Sequence, residues 1–118
     1  MNCEQIQIEF LKTNISKAYS SANIAHEVLF KDTHDRDNEI IASILLSEAI
    51  SIISSCKAVY FSNFELLQNA AVENIFSKFD TYSNEFLRNV STNHSHQWTD
   101  IEFINFKEAV PYLVETII

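Results

Sequence analysis

Arg88, Asn89 and His94 are the residues best equipped for chemistry on a phosphodiester, in the run Arg88-Asn89-Val90-Ser91-Thr92-Asn93-His94. A guanidinium can hold a phosphate through two hydrogen bonds while an imidazole moves a proton near neutral pH. That is the minimum equipment for cleaving RNA at a 2′-hydroxyl. The structural reading of Arg88, a cation at a helix C-terminus where the helix dipole favours positive charge, fits it better. His94 and His96 form an H-x-H pair with Asp100 close behind. A metal site would need them on one side of an ordered loop and has no cysteine to join them, so they read as a solvated histidine loop and no metal or cofactor is expected.

A second cluster is acidic. Asp32, Asp35, Asp37 and Glu39 surround the segment KDTHDRDN, which has no apolar residue. A calcium loop would require a central glycine and a terminal glutamate at set positions, and neither is present. The expected use of this cluster is docking to a basic protein partner, against the simpler alternative of a solvated acidic loop. Glu48 falls inside an apolar arc, where a buried ion pair is the expected state. Cys56, on the same face, reads as a small core hydrophobe. It and Cys3 match no disulfide or metal spacing and suit free thiols in a reducing cytoplasm.

Composition narrows the classes further. The 118 residues fit one domain, 1–118, and carry 16 Asp and Glu against 8 Lys and Arg, a formal charge of −8. That charge opposes attraction to nucleic acid and to anionic membranes. There is no glycine, which excludes phosphate-cradling loops, dinucleotide fingerprints and nucleophile elbows. One proline leaves little punctuation for tight hairpins. The longest apolar stretch, Ile40 to Ile53, is interrupted by Ser43, Ser47, Glu48 and Ser51 and is shorter than the ~20 residues of a bilayer span. It reads as a buried helix. Glu4 and Glu9 interrupt the opening residues where an export signal would be basic and apolar, so a cytoplasmic location is expected.

The elements that must position these groups are helices. Ile8, Leu11, Ile15, Ala18, Ala22, Ala25 and Leu29 recur at steps of three and four, predicting a first helix with Asn2 as a cap. Ala42, Leu45, Ala49, Ile52, Cys56 and Val59 form a second stripe, widened by Ile41, Ile44 and Ile53 into what should be the most buried helix. Ser62 to Glu65 is a capping-box pattern for a third helix through Phe64, Leu67, Ala71, Ile75, Phe79, Tyr82 and Phe86, with a break near Asp80 and Thr81. Thr99 to Glu102 repeats the pattern before Phe103, Phe106, Val110, Leu113 and Ile117, with Pro111 kinking the last helix. The expected fold is all-α, a single-domain antiparallel four-helix bundle with a proline kink in its last helix.

Two resemblances follow. The Arg88-to-His94 element, late in a helical bundle and with a polar residue after the arginine, resembles the HEPN domain of ribonuclease toxins. That resemblance implies a metal-independent ribonuclease whose Arg88, Asn89 and His94 line a composite site across a homodimer. In size, charge and helicity the chain is similar to the small acidic immunity proteins of colicin and contact-dependent inhibition systems. This second resemblance implies an inhibitor that occludes a basic nuclease toxin. A structural subunit of a larger assembly, anchored by Phe10, Phe30, Phe61 or Trp98, is the remaining expectation.

Overall fold

The computed structural model describes residues 3–31, 35–92 and 96–111, and among them the chain is all-α with no strand. Five helices follow in order: α1 (Cys3–Lys31), α2 (Arg36–Ser62), the single turn α3 (Phe64–Leu67), α4 (Ala70–Thr92) and α5 (His96–Ala109). A helix of 29 residues is about 43 Å long, which sets the 48 Å long axis of a body only 21 by 19 Å across.

The first helix follows its apolar stripe. Leu11, Ile15, Ala18, Ala22, Ala25 and Leu29 are buried, at strict four-and-three steps. The proposed cap, Asn2, lies outside the described residues. On α2 the same step pattern selects Ala42, Leu46, Ala49, Ile53, Cys56 and Tyr60. The alanines of both helices lie in buried seams, and small side chains let helix axes approach closely. The other half of the core is aromatic. Phe79 and Phe106 meet edge to face at 5.3 Å, and Tyr82 lies 5.2 Å from Phe103.

Several expectations are corrected. The seam of α2 is turned from the expected one: Leu46, Ile53 and Tyr60 face inward, while Leu45, Ile52 and Val59 are half-buried. Ile40, Ile41, Ile44 and Glu48 are exposed, so α2 is not wholly buried, and only 33% of its most apolar 18-residue window is covered. By length and composition α2 could cross a membrane, contrary to the shorter span read from sequence.

The turn after α2 also differs. Ser62 closes α2, and α3 begins after Asn63 without a side-chain cap. The chain breaks at Gln68 and Asn69, where Asn69 Oδ1 accepts the amides of Ala71 and Val72 and so caps α4, while Asp80 and Thr81 lie within a continuous helix. Tyr60 fixes this corner: its hydroxyl accepts from Asn69 N at 2.9 Å and donates to Glu73 Oε2 at 2.7 Å. Farther along, Lys57 Nζ bridges α2 to Asp80 of α4 at 2.6 and 2.8 Å. Thr99 does not cap α5, which already begins at His96. The described α5 ends at Ala109, two residues before Pro111, and Leu113 and Ile117 lie outside the described residues.

The alanine seam has a direct test. Ala22 is fully buried, and its enlargement to leucine has no free space to fill. Ala22→Leu should therefore lower the unfolding free energy by about 1–3 kcal/mol, read as a lower urea midpoint. An unchanged midpoint would show that α1 is not tightly packed there.

Candidate functional site

The acidic segment is mostly the first turn of a helix. Asp35 is the N-cap of α2, its Oδ1 accepting the amide of Asn38 at 3.0 Å and its carbonyl accepting that of Glu39. This role suits aspartate, because the short carboxylate reaches an amide the helix itself leaves without a partner. Asp37 is exposed on the next turn. Glu39 is buried, with Arg36 Nη1 at 3.6 Å. Asp32 lies outside the described residues. The four carboxylates thus divide into one cap, one inward group and one solvent-facing group, with Asp32 beside them in sequence.

At the end of α4, Arg88 and Asn89 point to different environments. Arg88 is exposed and its Nη1 stands 3.4 Å from Glu85, one turn back. Asn89 is 1% exposed and its Nδ2 donates to Thr99 Oγ1 at 3.2 Å, joining α4 to α5. Neighbours in sequence are about 100° apart around a helix, and here that angle separates solvent from core. His94 lies outside the described residues.

The principal polar cluster of the interior involves a residue the stripe analysis passed over. His26 of α1 is buried, with Nδ1 3.2 Å from the Tyr82 hydroxyl of α4 and Nε2 3.1 Å from Asp100 Oδ1 of α5. Its ring stacks on Phe103 at 4.2 Å and leans on Phe30 at 4.4 Å. A carboxylate accepts only, so Asp100 selects the Nε2–H tautomer and leaves Nδ1 to accept from Tyr82. Burial, reinforced by Asp100, holds the Tyr82 hydroxyl far above the usual phenol range, so that proton stays in place. Both nitrogens are engaged, and the ring packs against two phenylalanines. A general base needs a nitrogen within reach of substrate, so the geometry makes His26 a three-helix tie. The sequence signal was its position one residue beyond Ala25, at the edge of the α1 seam.

Two further candidates resolve simply. Glu48 is exposed, so the expected buried ion pair is absent. Cys56 is buried, and burial alone pushes its thiol up to about 11, which keeps it protonated and unreactive as expected of a core hydrophobe. Of the aromatic anchors, Phe61 and Trp98 are exposed and Phe10 and Phe30 are half-buried. No group of three metal-ligating side chains occurs among the described residues.

No family model, curated protein or solved structure matches this chain.

The His26 tie implies a pH dependence. Desolvation lowers its pKa below 6.5, opposed by Asp100 and Glu27 and aided by His96. Below 6.5 the unfolded chain binds more protons than the folded one, so stability falls as pH drops from 6.5 toward the lowered folded value. Thermal midpoints from pH 7.5 down to 5 should show that decline, and His26→Gln should make it shallower. An identical slope in the variant would remove His26 as its source.

Proposed function

We propose that the protein is a binding module, not an enzyme, and that it engages a cationic protein through the carboxylates at the start of α2. The observation that carries this is where the acid excess goes. Among the described residues, Lys12, Arg36, Lys57 and Arg88 already lie within ion-pair distance of Glu9, Glu39, Asp80 and Glu85. Glu4, Asp37, Glu48, Glu65 and Glu108 face solvent with no ion pair among the described residues, and they outnumber the exposed lysines in the same state, Lys17, Lys31 and Lys107. A surplus of outward carboxylates raises the encounter rate with a basic surface.

In this proposal Asp37 and Asp32 meet the partner, Asp35 holds the helix start, and Glu39, turned inward, adds to the negative charge at that end of α2. The four long helices form an antiparallel bundle around these groups. Supporting that arrangement, residues 6–10 of α1 line one groove with 58–63 near the end of α2, and Tyr19 and His26 of α1 stack on Phe103 of α5. Inhibition of a nuclease toxin by occlusion of its basic cleft is the specific form that size, charge and helicity favour. A membrane location for α2 would place Glu48 within the apolar span, at a cost of roughly 2–3 kcal/mol. The ribonuclease alternative requires Asn89 to leave the Thr99 contact and face RNA.

Affinity purification from the source cell, identification of the captured protein, and measurement of its association rate provide the test. The partner should be basic, and its association rate should fall about tenfold or more between low and high salt. Asp32→Lys with Asp37→Lys should slow association comparably while leaving the helix cap intact. A neutral or acidic partner, or a rate indifferent to both salt and charge reversal, overturns the proposal.

A further inference from the structure

The outward side of α2 is unusual for a surface helix because it is mostly isoleucine and serine. Its charges are few, and their placement is informative. Arg36, Ile40, Ile44 and Glu48 recur at steps of four, a single ridge on the side of α2 away from its buried seam. All four are exposed: the Arg36 side chain at 77%, Ile40 at 46%, Ile44 at 58%, with Glu48 also facing solvent. Among the described residues, Arg36 has a single ion-pair contact, the 3.6 Å approach to Glu39, a weak restraint for so exposed a guanidinium, and Glu48 has none.

Along its own line this ridge reads cation, apolar, apolar, anion, with the exposed Asp37 beside its first member, and it is complementary to its own reverse. We propose that two copies of this chain pair through the outward face of α2, with Ile40 of each against Ile44 of the other and Arg36 of each beside the other's Glu48. Such a two-fold contact is self-complementary, as a symmetric dimer requires. Ridges of four-residue spacing that interdigitate set helices at about 50° to one another. The charged ends lie about 18 Å apart along the helix, outside the reach of a single side chain, so each end must be matched separately. Ser43, Ser47 and Ser51 flank the ridge and leave room for close approach. A groove of about 260 Å³ beside Ile40 and Ile44, closed on its far side by Val90 of α4, can take the partner's isoleucine.

Other occupants fit this ridge less well. A cationic partner laid along the whole ridge, unlike one that touches only Asp37 at its end, meets Arg36, and an anionic bilayer meets Glu48. A reversed copy offers the opposite charge to both ends and isoleucine to the middle. The contact is smaller than the ~800 Å² per partner of a standard interface, and each chain carries −8, so the dimer is weak and forms with rising concentration. It does not depend on the cationic-partner proposal, because it uses none of Asp32, Asp35 or Asp37.

Sedimentation equilibrium of the full chain across a concentration series at physiological salt tests it. Wild type should pass reversibly from monomer to dimer. Arg36→Glu alone and Glu48→Arg alone place like charges at both ends, and each should weaken self-association about tenfold or more, the equivalent of ~1.4 kcal/mol. Mixed in equal amounts, the two variants should form a heterodimer, and the double reversal Arg36→Glu/Glu48→Arg should restore self-association. A wild-type chain that stays monomeric throughout, single reversals that dimerise as wild type does, or a mixture that gains nothing would each overturn the proposal. Helical circular dichroism of every variant, expected unchanged at these exposed positions, confirms that the comparison is between folded proteins.

Discussion

The narrowness of the helical seams governs this structure. Buried positions on α1 and α2 follow one another at strict four-and-three steps, with Glu39 opening the α2 seam and His26 an addition at the edge of the α1 seam. Such a stripe averages 3.5 residues per step and covers a thinner arc than the broad apolar face of most globular helices. A thin seam suffices where the residues are alanine, because the backbones themselves come close. On the aromatic side, rings from α4 and α5 pack against one another. Everything apolar that falls outside the seam must then remain at the surface, and α2 has the largest remainder.

This explains which parts were legible in the sequence. In α1 the apolar residues define a single phase, so its buried face could be read directly. In α2 the run from Ile40 to Ile53 supports more than one phase, because isoleucines stand at 40, 41, 44, 50, 52 and 53. Periodicity cannot choose among them; the choice falls to the partners, Tyr60 above all, whose hydroxyl must reach Asn69 and Glu73. The same limit applies to caps. Ser62-x-x-Glu65 has the letters of a capping box, yet Asn69 does the work at α4, since its side chain meets two amides at once. As for the site, the carboxylates around α2 were visible as a cluster, but the inward turn of Glu39 was not. His26 carried only the signal of its place beside Ala25.

Polar groups inside the protein give it register that greasy contacts alone would leave loose. A leucine can slide past another with little loss, whereas His26 must find Tyr82 and Asp100 together, and Asn89 must find Thr99. Each such group left without its partner in a low-dielectric interior loses the hydration that water would have supplied. The two connections sit on three helices and converge on the start of α5, so that short helix is located by its hydrogen bonds as well as by Phe103 and Phe106.

The two thiols lie in opposite circumstances: Cys56 is sealed in the α2 seam and held in its neutral form, while Cys3 is exposed in the first turn of α1. Maleimide or a nitroxide reagent added to the folded protein therefore modifies one position only. The chain comes with a built-in attachment point, so a spectroscopic probe can be installed at the tip of α1 without mutagenesis and without disturbing the interior.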